Sequence, residues 1–209
     1  LTVDRIGYFF GPGTLTITER IETKYPFFWQ MQLNIGPNAT GLMTDELGGQ
    51  DDQGIIFYED VVINGSLTFE ARDVNGKNIT VNGSLTQKEG GIKANLLVNS
   101  TGVLNIESPL YHVDVNSITN KGVINWKKGK INAFWGAFTN TGVINIEEKN
   151  AVFYYSGFIN DFQFKNDGTI NVASTVDSVS LLAKLVSSGN INMAGDTKLN
   201  LAELDLTGS

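Results

Sequence analysis

Between Ser117 and Met193 the apolar and polar positions repeat one phrase four times. It runs Ile118-Thr119-Asn120-Lys121-Gly122-Val123-Ile124-Asn125-Trp126, then Phe138 to Ile146, Phe164 to Val172 and Leu185 to Met193. With each glycine as position zero, an apolar residue stands at minus four and a small polar residue at minus two. Apolar residues return at plus two and plus four. Weaker copies surround Gly65, Gly83 and Gly102, and Leu204 precedes Gly208 in the same way. Alternation at plus two and plus four is the period of a strand, and few windows carry a stripe at 3.6 residues.

The glycines at 65, 83, 102, 122, 142, 168, 189 and 208 are spaced 18, 19, 20, 20, 26, 21 and 19 residues apart. A period near 20 marks a stacked repeat architecture. Leucine-rich repeats share this length but need a leucine framework and a helical segment, which the phrases lack. The pattern predicts an all-β fold, a parallel β-helix in which each strand pairs with its equivalent one coil later. Eight to ten coils at ~4.8 Å each give a rod on the order of 35–50 Å. The competing solution is a string of hairpins in an antiparallel sandwich, but hairpins do not require the same residue type at the same offset in every unit.

Each position of the phrase has a physical reading. Asn at minus two suits a corner, because it tolerates a left-handed backbone and its amide bonds nearby main chain. Stacked on itself it forms an amide ladder. Glycine at zero permits a positive φ in a tight turn. Asn125, Asn145, Asn171 and Asn192 at plus three form a second, outward ladder.

Residues 1–209 read as one domain, with a cap and irregular first coils over 1–60 and regular coils over 61–209. The N-terminal stretch is aromatic: Tyr8, Phe9 and Phe10 precede Gly11-Pro12-Gly13, and Tyr25 to Trp29 form a knot. A cap explains it, with an aromatic sugar-binding platform as the alternative. Extra length between Gly142 and Gly168 predicts a loop. Aromatics there and at Phe134 and Trp135 line either the core or a shallow outer groove. Ser178 to Ser187 is the most helix-like window, worth one turn at most. The missing initial methionine and the last phrase, cut at Gly208-Ser209, lead us to expect a mature or excised piece that continues into further coils.

Charge narrows the partners. Net charge is −7, and nine acids against three bases in residues 1–60 account for most of it. With no basic stripe, nucleic acid is excluded as a partner, and Lys127, Lys128 and Lys130 read as a solvated corner. No apolar run approaches a membrane span, so no membrane contact is expected, and the chain reads as a monomer. Cysteine is absent, which leaves the redox compartment open. Sequons at Asn38, Asn64, Asn78, Asn82 and Asn99 are candidate N-glycosylation sites.

Candidate chemistry is sparse. The loop Asp45 to Gly54 carries four carboxylates, but its spacing fits no calcium motif, so it reads as a solvated acidic loop and no metal or cofactor is expected. His112, the only histidine, has no cysteine partner and reads as a surface or packed residue. Many β-helices cleave polysaccharides, which takes paired carboxylates on neighbouring coils or a base beside a cation. The rung positions here carry Asn, Thr, Val and Ile. Glu147 and Glu148 are adjacent, and Asp161 and Asp167 flank the insertion. No nucleophile–base pair or phosphate loop is present, so the expectation is a non-catalytic chain with no catalytic residue.

The phrase apolar-x-Asn-x-Gly-x-Ile-x-apolar, as in Phe138 to Ile146, resembles the N-terminal domain of the fungal hyphally regulated cell-wall protein family (Hyr/Iff and related adhesin-like wall proteins of Candida-type yeasts). The likeness is best over residues 95–195. It implies a right-handed β-helix displayed outside the cell on a Ser/Thr-rich, lipid-derived wall anchor, with roles in adhesion and biofilm. Two features depart from the family: members generally carry cysteines here, and their domain tends to end in a small β-sandwich. No ligand-binding residue carries over. Bacterial autotransporter and haemagglutinin β-helices use similar Asn-Gly coils. The expected role is therefore a cell-surface or wall adhesin for a host, abiotic or neighbouring-cell surface. A bacterial secreted β-helix adhesin is the alternative, and a polysaccharide lyase or hydrolase is the reading from another class.

Overall fold

A computed structural model describes residues 2–3, 7–24, 27–44, 54–109, 112–133, 136–155 and 162–206. They form a parallel β-solenoid with three columns of short strands and no helix among them. Every strand pairing among these residues is parallel, which excludes the hairpin sandwich. The first column stacks Thr2–Val3, Arg20–Thr23, Thr40–Thr44, the openings of Ser66–Val81 and Ser84–Val98, then Val103–Ile106, Val123–Trp126, Val143–Ile146, Thr169–Val172 and Asn190–Met193. These ten levels, numbered here as coils 1 to 10, are nine steps of ~4.8 Å, a rod about 43 Å long.

Register explains the phrase. Plus two is one inward file, Leu67–Leu85–Leu104–Ile124–Ile144–Ile170, and plus four is the next, which includes Ile106, Trp126, Ile146 and Val172. Residues of both files are buried, and each fully buried aliphatic contributes about 1.5–3 kcal/mol. Minus four is a third file, Val61–Ile79–Ile118–Phe138–Phe164–Leu185; at the Gly102 level the register slips by two, so Leu96, six before that glycine, fills this file and Val98, four before it, stands in register with Asn120. The strands over residues 2–44 already belong to the same columns: Leu15 and Leu33 stack below Val61, and Ile21 and Gly41 below Leu67. Ser178–Ser187, the helix-like window, is one long strand spanning the second and third columns.

Minus two does not sit at a corner as the spacing suggested. It faces inward, and Asn120, Asn140 and Asn166 are fully buried. Asn120 Nδ2 donates to Asn140 Oδ1 at 2.7 Å, Asn140 Nδ2 to Asn166 Oδ1 at 2.7 Å, and Asn166 Nδ2 to Ser187 Oγ at 3.1 Å. In earlier coils this file is apolar, with Ile63, Val81 and Val98. There the amides stand beside the file: Asn82, one residue after Val81, donates to Asn64 at 2.8 Å, and Asn64, one after Ile63, donates to Asn34, one before Ile35, at 2.9 Å. The plus-three ladder forms as expected. Asn125, Asn145, Asn171 and Asn192 each donate to the preceding rung, from Asn105 upward, at 2.9–3.0 Å.

The glycines have another cause than the one expected. Positive φ occurs at Gly11, Gly13, Gly90, Gly129 and Gly195, and at none of the phrase glycines described. Gly142 is needed for close approach instead. A Cβ on it would lie 2.2 Å from the Gly122 carbonyl oxygen of the coil before, and one on Gly168 would lie 2.2 Å from the Gly142 oxygen. Each of these oxygens is already the acceptor for the next coil, with Val143 N donating to Gly122 O and Thr169 N to Gly142 O, both at 2.8 Å. The tight corner stacks backbone directly on backbone, so a side chain has no room. Gly208 lies outside the described residues.

Candidate functional site

Corners join the second column to the third, and in the first coil this corner is longer than in the next. Phe9, Trp29 and Phe57 are in register, as are Thr14 and Gln32. Four residues, Phe10 to Gly13, therefore span what Gln30 and Met31 span in coil 2. The extra length stands out as an overhang, and Gly11 and Gly13 turn it with φ values of 131° and 126°. Beneath it opens a notch of about 310 Å³, lined by Gly11, Pro12, Gly13, Gln30, Met31, Gln32, Glu59 and Asp60.

The notch is polar and incompletely satisfied. Gln32 Oε1 accepts from Thr14 Oγ1 at 2.8 Å, and the Gln32 amide nitrogen has no partner among the described residues. The Gln30 side-chain amide, exposed to solvent, likewise bonds to none of them, while its main-chain N–H donates to Phe9 O at 2.8 Å. Asp60 Oδ1 accepts from Asn78 Nδ2 at 2.8 Å, and Glu59 lies 3.7 Å from Lys77 across open solvent. Aromatics mark its edges in sequence. Phe10 comes directly before Gly11 and is 62% exposed; Tyr58 comes directly before Glu59 and is 50% exposed. Tyr8, 58% exposed, stacks on Phe10 with ring centres 5.5 Å apart. Inside the same coils Phe9 stacks on Trp29 at 4.3 Å, so the outer rings stand on a packed base.

Three of the sequons converge. Asn64 and Asn82 share one outward ladder, and Asn99 donates to Asn82 at 2.5 Å. Asn78 belongs to another, with Asp60 below and Asn95 donating to it at 3.1 Å. Asn38 is exposed in a corner by itself. The acidic loop lies outside the described residues except for Gly54, as do Phe134, Trp135 and Asp161. Of the insertion aromatics, Phe153 is buried and meets Phe138 and Phe164 edge-on at 5.3 and 5.1 Å, while those two stack at 4.3 Å. Tyr155 stacks on Phe162 at 4.3 Å, partly buried against the core. These described rings are core rather than groove. His112 occupies a strand of the second column, opposite Lys130.

Several carboxylates are spent on structure. Glu148 accepts from the Gly129 amide at 2.9 Å, and Glu107 holds Lys127 at 3.0 Å, which neutralises part of the basic cluster. The Ser188 hydroxyl, 2.6 Å away, and the Lys165 ammonium hold the Asp167 carboxyl below its ordinary value. Glu203, with Asp205 behind it, raises Lys184. Among the described residues no three His, Cys, Asp or Glu side chains group as metal ligands. A small apolar cavity of about 20 Å³ lies inside the later coils, between Trp126, Phe138 and Leu181. No described helix is long and apolar enough to cross a membrane. Searches against family models, curated proteins and solved structures return no match to this chain.

Sequence reading missed Gln30, Gln32, Glu59 and Asp60 as neighbours. A signal was present, since Gly11-Pro12-Gly13 lengthens one corner, but only the strand register reveals the mismatch with the corner above.

Proposed function

We propose that this chain is a non-catalytic adhesive module of an extracellular surface, of the kind the fungal wall-protein resemblance implies, attaching to host, abiotic or neighbouring-cell surfaces. The observation that carries the reading is the combination of a rod about 43 Å long with an open polar notch and exposed rings at its N-terminal coils. A stack whose coils pair with one another through backbone and amide ladders is stiff along its axis. It holds a recognition surface away from whatever bears it. Many of the described acids, among them Glu70, Glu107 and Glu148, serve corners and ion pairs, which agrees with binding rather than hydrolysis. The sequons support a secretory route, and exposed Asn38 is the most accessible of them.

The absence of cysteine favours the bacterial secreted adhesin as the second reading. Mass spectrometry of the sequon peptides in the protein taken from its own cells separates the two: occupied sequons favour the fungal reading. The function itself is tested by displaying the chain on non-adherent cells and counting attachment to plastic, to epithelial layers and to other yeast. Attachment several-fold above the empty display is expected. Attachment equal to the empty display, or cleavage of a wall polysaccharide that is lost on changing one carboxylate, contradicts it.

A further inference from the structure

We propose that the notch under the Phe10–Gly13 overhang is a carbohydrate subsite that takes one pyranose unit of a neutral, hydroxyl-rich glycan. The proposal rests on the adhesive reading and names its ligand class.

Shape comes first. The notch is at the lower end of the size of small-molecule sites, and its opening to solvent suits one unit of a longer chain rather than a buried small molecule. Its base is held by strand register at Gln32 and by the packed rings of Phe9 and Trp29, which leaves the corner and the exposed side chains as the parts to be ordered on binding.

Chemistry selects the occupant. A pyranose offers hydroxyl groups that both donate and accept, and faces of C–H bonds. Gln30 brings an amide with no partner among the described residues, and Gln32 adds an amide nitrogen in the same state. Asp60 has one oxygen bonded by Asn78 and the other open, and Glu59 contributes further acceptors. Carboxylate oxygens accept from sugar hydroxyls, and amides bond them in both directions. Phe10 and Tyr58 stand in one column, on coils 1 and 3, because Phe9, Trp29 and Phe57 before them are in register. Two coil steps separate them, ~9.6 Å, with Gln30 between. Exposed rings on either side of an unpaired amide match a ligand with apolar faces and a polar rim. A purely apolar ligand would leave the amides and carboxylates unsatisfied.

Charge excludes the anionic alternatives. Glu59 and Asp60 face the cavity, and Lys77, the cation paired with Glu59, is 3.7 Å from it. An acidic sugar or a phosphate would meet two carboxylates. A neutral hexose chain meets no like charge, and its hydroxyls donate to the open carboxylate oxygens.

The test titrates the whole chain with neutral hexaoses of glucose, mannose and N-acetylglucosamine, read by saturation-transfer NMR and calorimetry. A Kd on the order of millimolar is expected for at least one of them, given a contact limited to about one ring. Phe10→Ala and Tyr58→Ala should each weaken it about five- to tenfold, and Asp60→Asn by a similar factor. All three should keep the parent far-UV spectrum and unfolding midpoint, because these side chains are exposed or half-exposed. Leu182→Ala, an exposed apolar residue on coil 9, should change nothing. Absence of binding by every hexaose at 10 mM (about tenfold above that Kd), or binding indifferent to Phe10, Tyr58 and Asp60, overturns the proposal. Cell attachment measured on the same proteins separates the two readings. Attachment without hexaose binding removes the subsite and leaves the adhesin, whereas hexaose binding without attachment does the reverse.

Discussion

Gly142→Ala is the sharpest perturbation of the corner. The φ of Gly142 is one that any residue adopts, since it is absent from the positive-φ positions. In open space the substitution would then stabilise by about 0.4–1 kcal/mol, through lower entropy of the unfolded chain. Here the new Cβ would lie 2.2 Å from Gly122 O, 2.7 Å from Lys121 C and 2.8 Å from Gly122 N. All three are backbone atoms, so no side chain can swing aside. Relief by moving the lower coil disturbs the bond from Val143 N to Gly122 O, and relief by moving Gly142 disturbs the bond from Thr169 N to Gly142 O, each 2.8 Å long. Overpacking costs about 1–3 kcal/mol and one lost backbone bond about 1 kcal/mol. Offset by the entropy gain, the net loss is about 1–3.5 kcal/mol. Urea unfolding at 25 °C, followed by far-UV circular dichroism and Trp fluorescence, reads it as a lower midpoint at constant slope. Gly142→Asn decides the cause. If the position needed a left-handed backbone, Asn would be milder than Ala; with backbone packed against it, Asn is as harmful or worse. An Ala variant at least as stable as the parent, or an Asn variant about 1 kcal/mol milder than Ala, refutes the close-approach account.

The two ladders should respond unequally. Asn140→Ala strips partners from Asn120 and Asn166 in a dry interior and should cost about 2–4 kcal/mol, whereas Asn145→Ala on the half-exposed ladder should cost about 1 kcal/mol or less, both read from urea midpoints. Asn140→Asp sets an acceptor against the Asn166 oxygen, and burial raises its carboxyl pKa in the folded state. Its proton is then held more tightly folded than unfolded, so the variant comes nearest the parent below about pH 4 and loses stability as pH rises from there. A variant whose deficit against the parent stays flat from pH 3 to pH 8, a range about 1 unit below to 4 above the ordinary Asp pKa, contradicts the buried amide. In material secreted from yeast, Asn38 should carry more glycan than Asn64 or Asn82, whose amides are tied in a ladder one coil step apart. Peptide mass spectrometry giving the opposite order counts against that placement.

The columns were legible because the same residue types recur at one offset: Ile124, Ile144 and Ile170 could stack only in a parallel coil. The outward Asn125 ladder followed from the same alternation. The cause of the glycines was not legible, since a turn of positive φ and a backbone contact both demand the smallest residue. Nor was the inward place of Asn140, because an amide buried among Phe138 and Ile144 breaks the apolar rule unless its partners one coil away are known. The first three coils hide their register because Trp29, Phe57 and Gly76 follow one another in the second column, so no one residue type recurs there at a fixed offset. The notch depends on the difference between two corner lengths, a quantity that exists only once strands are paired.

Paired spin labels along the first column test the stack most directly. Thr68, Thr86, Asn105, Asn125, Asn145, Asn171 and Asn192 are successive partners in register. With one label fixed at Thr68 and the other moved from Asn145 to Asn171 to Asn192, pulsed electron resonance should give backbone separations near ~19, ~24 and ~29 Å. The 26-residue interval between Asn145 and Asn171 should add the same single step as the 21-residue interval after it. Distances that grow with residue count, or that fail to rise along the series, contradict the parallel solenoid.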